Sequence, residues 1–96
     1  MVGEQFTFVL TAPQTVAYTG TAGTSAVLGS ETTTVRLVAT TDSWIFITQA
    51  GTAATTGNGF FLPANTVEYV RCPTAAKVSV IRDAASGNLY LAECDR

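Results

Sequence analysis

No histidine occurs anywhere in the chain, and lysine and tryptophan appear once each. The missing histidine removes the side chain best suited to act as a general base or to bind a metal at neutral pH. A serine or cysteine nucleophile needs a positioned base beside it, and without histidine neither cysteine has an obvious activator. The only two cysteines, Cys72 and Cys94, cannot complete the four-ligand set of a structural zinc site. Both read as small buried thiols. A cytosolic chain seldom carries a bridge, although both cysteines fall near the ends of expected strands and could approach each other.

Charge is also scarce. Asp, Glu, Lys and Arg make up 12% of the chain, with a net charge of −2, against about 25% in an average domain. The five basic residues Arg36, Arg71, Lys77, Arg82 and Arg96 are scattered. They form no basic face for a phosphate backbone. The seven carboxylates are dispersed too. Glu68 and Glu93, both on expected strands, are the one pair that could face each other as glycosidase carboxylates do. Solvated faces or salt bridges are the plainer reading. The glycines of "GTAGTSAVLGS" (20–30) lack the strand–helix setting and the lysine of a phosphate loop. No apolar run approaches the roughly 20 residues of a membrane span. The opening "MVGEQFTFVL" has Glu4 and no basic region, unlike a secretory signal. The expectation is a protein that is not an enzyme and takes no metal or cofactor. Nucleic acid and membrane are not expected partners.

What the chain does have is threonine, its commonest residue, followed by alanine and valine. Thr and Val are stiff at χ1 and suit a pleated strand. Short period-two stretches alternate with Gly, Pro, Asn and Asp clusters, and no stretch keeps a helical period. Residues 4–10 place Phe6, Phe8 and Leu10 on one face. Residues 14–19 follow, and 26–28 read as a short strand within a loose turn. Residues 33–40 alternate Val35, Leu37 and Ala39 with Arg36 and Val38. Residues 43–48, "SWIFIT", are apolar on both faces, which suits a central strand. After the polar connection 49–59 come residues 60–62, 66–72, 77–83 and 88–93. The last two, joined by "AASG", read as the clearest hairpin. About eight strands and no helix predict an all-β antiparallel sandwich of Greek-key or jelly-roll type. Ninety-six residues make one domain, 1–96, with 1–30 set apart as a docking or strand-exchange segment. Leu37, Trp44, Phe46 and Val80 are the expected core. The alternative for Trp44, and for Tyr18, is a stacking platform for a ligand.

One stretch asks for a purpose: "GFFLPANTVEYVRC", residues 59–72. Phe60 and Phe61 are adjacent, so in a strand they point to opposite faces. One is expected in the core. The other, beside Leu62 and Pro63, would be an exposed apolar spot of the kind a partner covers. The candidate interface is therefore Phe60, Phe61, Leu62 and Pro63. Phe6 and Phe8 join it, because a strand near a chain end can pair with a neighbour's edge.

From residue 33 to residue 93 the chain resembles a family of short bacteriophage virion proteins. The matching pieces are "VRLVATTDSWIFI", a Gly/Ala/Thr-rich loop, "FFLPANTVEYV" and "KVSVIRDAASGNLYLAE", in that order. The Pro-Gly usual in that family before the lysine strand is replaced by Pro73-Thr74-Ala75-Ala76. The resemblance implies an accessory structural component, foremost a capsid decoration or cement protein on the outside of the head. Its expected partners are the major capsid protein and its own copies, as a dimer or trimer, and its expected location is the virion, assembled in the host cytoplasm. A tail, neck or fibre-base part is the alternative it leaves open. A carbohydrate- or host-surface-binding module is the alternative from another class.

Overall fold

A computed structural model describes residues 13–29 and 32–94. Among them are eight strands: β1 (Gln14–Tyr18), β2 (Gly23–Thr24), β3 (Thr34–Ala39), β4 (Ser43–Thr48), β5 (Phe60–Leu62), β6 (Glu68–Arg71), β7 (Lys77–Arg82) and β8 (Gly87–Cys94). They form two four-stranded antiparallel sheets, ordered β1-β8-β3-β6 and β2-β7-β4-β5. The protein is an all-β sandwich. Its pairings nest: β1 with β8, β2 with β7, β3 with β6, β4 with β5. That nesting is a long antiparallel ribbon rolled into two sheets, which makes the topology a jelly roll.

The period-two pattern places the core. Val16 and Tyr18 of β1, Val35, Leu37 and Ala39 of β3, and Leu89 and Leu91 of β8 face inward from one sheet. Ile45, Leu62, Val78 and Val80 meet them from the other, with Leu28 and Ala76 closing one end. Residues 14–28 are thus built into the sheets and the core, whereas residues 4–10 lie outside the described residues. Tyr18 is buried and is no platform. Its hydroxyl donates to the Thr41 carbonyl (2.9 Å) and accepts from the Thr41 N–H (3.2 Å).

Three expectations need correction. First, β7 and β8 do not form a hairpin, because they belong to different sheets. Residues 83–86 carry the chain across the sandwich, and Gly87 lies where a Cβ would meet the Thr40, Thr41 and Tyr18 hydroxyl oxygens at 2.5–2.9 Å. Among the described strands the one true hairpin is β4–β5, closed by the long loop 49–59.

Second, Trp44 and Phe46 face outward from β4 and are half-buried, while Ser43 and Ile45 take the buried inner positions. The outer side is apolar because loop 49–59 folds back over it. Ala54 is buried, and its N–H donates to Ser79 Oγ, opposite Phe46, at 2.8 Å.

Third, the segment expected at 26–28 is not a strand. It runs beside β7 with Ser25 N–H donating to Val78 O (2.8 Å) and Leu28 N–H to Ala76 O (2.7 Å). Ser25 Oγ accepts from the Val78 N–H (3.0 Å), so a side chain replaces one rung of the ladder.

Candidate functional site: the open edge of the sandwich

β5 and β6 end their respective sheets, and the turn between them carries the chain from one sheet to the other. Gly59 leads into β5 with its backbone against that of Ile45, where a Cβ would lie 2.6 Å from the Ile45 carbonyl oxygen. This contact pins the hairpin strand at its start. Phe60, Phe61 and Leu62 then pair with Ile45, Trp44 and Ser43. Pro63 follows, and the Ala64 N–H donates to Asp42 Oδ1 (2.8 Å). Asn65 adopts φ +57° and donates its N–H to Ala39 O (2.7 Å). Asn tolerates this left-handed conformation better than most residues, which is why the turn needs no glycine.

The two phenylalanines do point to opposite faces, but neither is core. Phe60 is 38% exposed and Phe61 42%. The core place is taken by Leu62, fully buried beside the small Ser43; it is therefore not a surface contact as expected. Pro63 is exposed. Phe6 and Phe8 lie outside the described residues. Further along, Val67 is 43% exposed and Tyr69 58%, two residues the candidate interface did not include. Their signal was present: Val67 and Tyr69 alternate with Val70 and Cys72, of which the latter two pack against the core.

On the inner side of this edge the sheets part. Ile45, Ile47, Gly59, Phe60, Val70 and Arg71 line an open groove of ≈ 390 Å³. Arg71 is its one charged lining residue. On the outer side, Phe61 meets Trp44 edge-on, with ring centroids 5.2 Å apart and planes at 63°. The Trp44 indole N–H donates to Asp83 Oδ1 (3.0 Å).

The other candidate groups do not converge on a reaction. Val35 lies opposite both Glu93 and Val70, and Glu68 is two positions along from Val70. That offset separates the Glu68 and Glu93 backbones by about 12 Å; Glu68 is exposed at the free edge, Glu93 is buried, and neither lines the groove. Glu93 Oε1 instead accepts from the Gly29 N–H (2.9 Å) and the Thr32 hydroxyl (2.7 Å), fastening the loop before β3. Cys72 and Cys94 flank residue 33 on opposite sides, through Cys72 N–H to Thr33 O (3.0 Å) and Thr33 N–H to Cys94 O (3.2 Å). Two strand spacings, about 10 Å, exceed the reach of a disulfide, and both residues are thiols. Burial pushes the Cys72 thiol pKa up, and Glu93 and Cys94 add to it. Cys72 therefore lacks the depressed pKa of a nucleophile. Among the described residues no group of three His, Cys, Asp or Glu could hold a metal ion, and no helix is long and apolar enough to cross a membrane.

No family model, curated protein or solved structure matches the chain.

Proposed function

We propose that the protein is a structural subunit of a bacteriophage virion, a capsid decoration or cement protein bound to the outside of the head. The observation that carries this reading is where the exposed apolar surface lies. Of the six large hydrophobic side chains exposed among the described residues, Phe60, Phe61, Val67 and Tyr69 fall within residues 60–69. They lie along the rim formed by the two free strand edges, Phe61 on the outer face of one sheet and Tyr69 on the outer face of the other, so a partner that covers them wraps the rim. The ordered resemblance over residues 33–93 supports the same reading, and jelly rolls are a common capsid architecture. The partner is the major capsid protein, with further copies of the chain around a local symmetry axis.

Two measurements test it. Quantitative gel analysis of purified virions should give a copy number that scales with the major capsid protein. A copy number matching a single ring would instead assign the chain to the tail or neck. Phe61→Ser and Tyr69→Ser, both at exposed positions, should stay folded yet fail to bind heads lacking the protein; full occupancy by both variants would contradict the proposal.

The Trp44–Phe61 pair beside Asp83 favours one second reading, a carbohydrate-binding surface. In that case the isolated protein should retain glycans, and Trp44→Ala should abolish retention. Decoration predicts no such binding.

A further inference from the structure

We propose that the groove between β5 and β6 receives the N-terminal segment, residues 4–10, of a neighbouring copy, so that subunits join by exchanging a strand. The groove has the two things an incoming strand needs. It is apolar inside, and among the described residues neither β5 nor β6 has a partner on its outer edge. Unpaired N–H and C=O groups of such an edge accept an extended segment, and pockets beside it read alternate side chains.

The sequence supplies a matching occupant. "EQFTFVL" carries Phe6, Phe8 and Leu10 on one face, spaced about 6.8 Å apart in an extended strand. An apolar cavity of about 150 Å³ holds one benzene-sized ring. A groove of ≈ 390 Å³ therefore accommodates two rings at that spacing.

The fold also says which copy donates. The segment joins the sandwich through Pro13 at the start of β1, and β1 and β6 are opposite edges of one sheet. Three strand spacings separate them, about 14 Å. The three residues from Leu10 to Pro13 span at most about 11 Å. Within one chain Leu10 falls short of the groove and only Phe6 and Phe8 could reach it, whereas a neighbour can seat the whole of residues 4–10.

The inference does not depend on the virion reading, so it is tested on the purified full-length chain without heads. A photo-crosslinking benzoylphenylalanine at position 8, in an equal mixture of isotope-labelled and unlabelled chains, should give mixed-isotope crosslinks to residues 45–47, 58–60 or 70–71. Sedimentation should show a dimer or larger ring. Phe6→Ser with Phe8→Ser, and Phe60→Ser alone, should each weaken self-association by at least about 100-fold with an unchanged circular dichroism spectrum. Crosslinks confined to one chain, crosslinks mapping away from the groove, or a monomeric parent at high micromolar concentration would each overturn the proposal.

Discussion

The sandwich has two long edges, and they are finished differently. At the β1/β2 edge the sheets come together. Gly23 sits where a Cβ would lie 2.2 Å from the Ala17 carbonyl oxygen, so one backbone rests on the other. Gln14 Oε1 accepts from the Ala26 N–H (3.1 Å), and Ser25 is stitched into β7. At the β5/β6 edge large side chains stand at the rim and the sheets gape. One fold therefore seals an edge with a glycine and short polar groups, yet leaves the other open around Phe60 and Val70. The open edge is a choice of residues, not a limit of the architecture. Exposed apolar residues gathered at one rim are the pattern on which the proposed docking rests.

The largest effect should come from forcing the sealed edge open. Gly23→Ala places a methyl group against backbone that cannot rotate away, and should cost about 3 kcal/mol. With roughly 5–10 kcal/mol in all for a domain of this size, urea unfolding should show a clearly lowered midpoint. An unchanged midpoint would mean that the two edges are equally loose.

Next is the rim of the open edge. Trp44→Ala removes a half-buried ring, its contact with Phe61 and its bond to Asp83, and should cost about 1–2 kcal/mol. That is less than the 3–5 kcal/mol typical of a buried aromatic. A loss of that larger size in thermal unfolding would show that Trp44 serves as core after all.

Smaller still is the turn that leads from the open edge into β7. Ala75 holds φ +54°, a conformation that costs a non-glycine residue about 1–2 kcal/mol. Ala75→Gly relieves that strain but raises the conformational entropy of the unfolded chain, which offsets part of the gain. The net gain should be about 0.5–1 kcal/mol, read as a melting point a few degrees higher.

The smallest effect concerns Cys72. Its folded pKa is raised by burial, with Glu93 and Cys94 adding to it. The neutral thiol thus contributes stability that is complete below the ordinary thiol pKa and is lost as pH climbs through the raised value. Cys72→Ala should flatten the alkaline end of the stability–pH curve. Native protein should react slowly with iodoacetamide at this position, and unfolded protein should take up two labels.

Strand positions were largely legible in the sequence, because inward and outward residues alternate wherever one face meets water. Val35, Leu37 and Ala39 show it cleanly. The alternation failed to say which face of β4 was inner, since loop 49–59 makes both sides apolar. It also failed at β7 and β8. A hairpin and a crossing between sheets bury the same valines and leucines, and only pairing with β3 and β4 separates them. The open edge was half legible. Adjacent phenylalanines cannot share a face, which marked Phe60 and Phe61 as unusual. That Leu62 takes the core position depends on Ser43 opposite it, a partner that sequence spacing does not reveal.

The nested pairing has a kinetic consequence. Only β4 and β5 are joined by a connection within the same sheet. Every other pair brings together strands distant in sequence, so each must wait for the pair inside it. Assembly is expected to zip outward from the 49–59 hairpin, with β1 and β8 last. A topology so dominated by distant contacts folds in milliseconds to seconds rather than microseconds, and stopped-flow tryptophan fluorescence, reporting from Trp44 beside that hairpin, would measure it. During that interval β1 and β8, the outermost pair of the nest, are the last to be claimed by their own sandwich. A protein that makes its subunit joints from a terminal strand would have its longest opportunity to do so then.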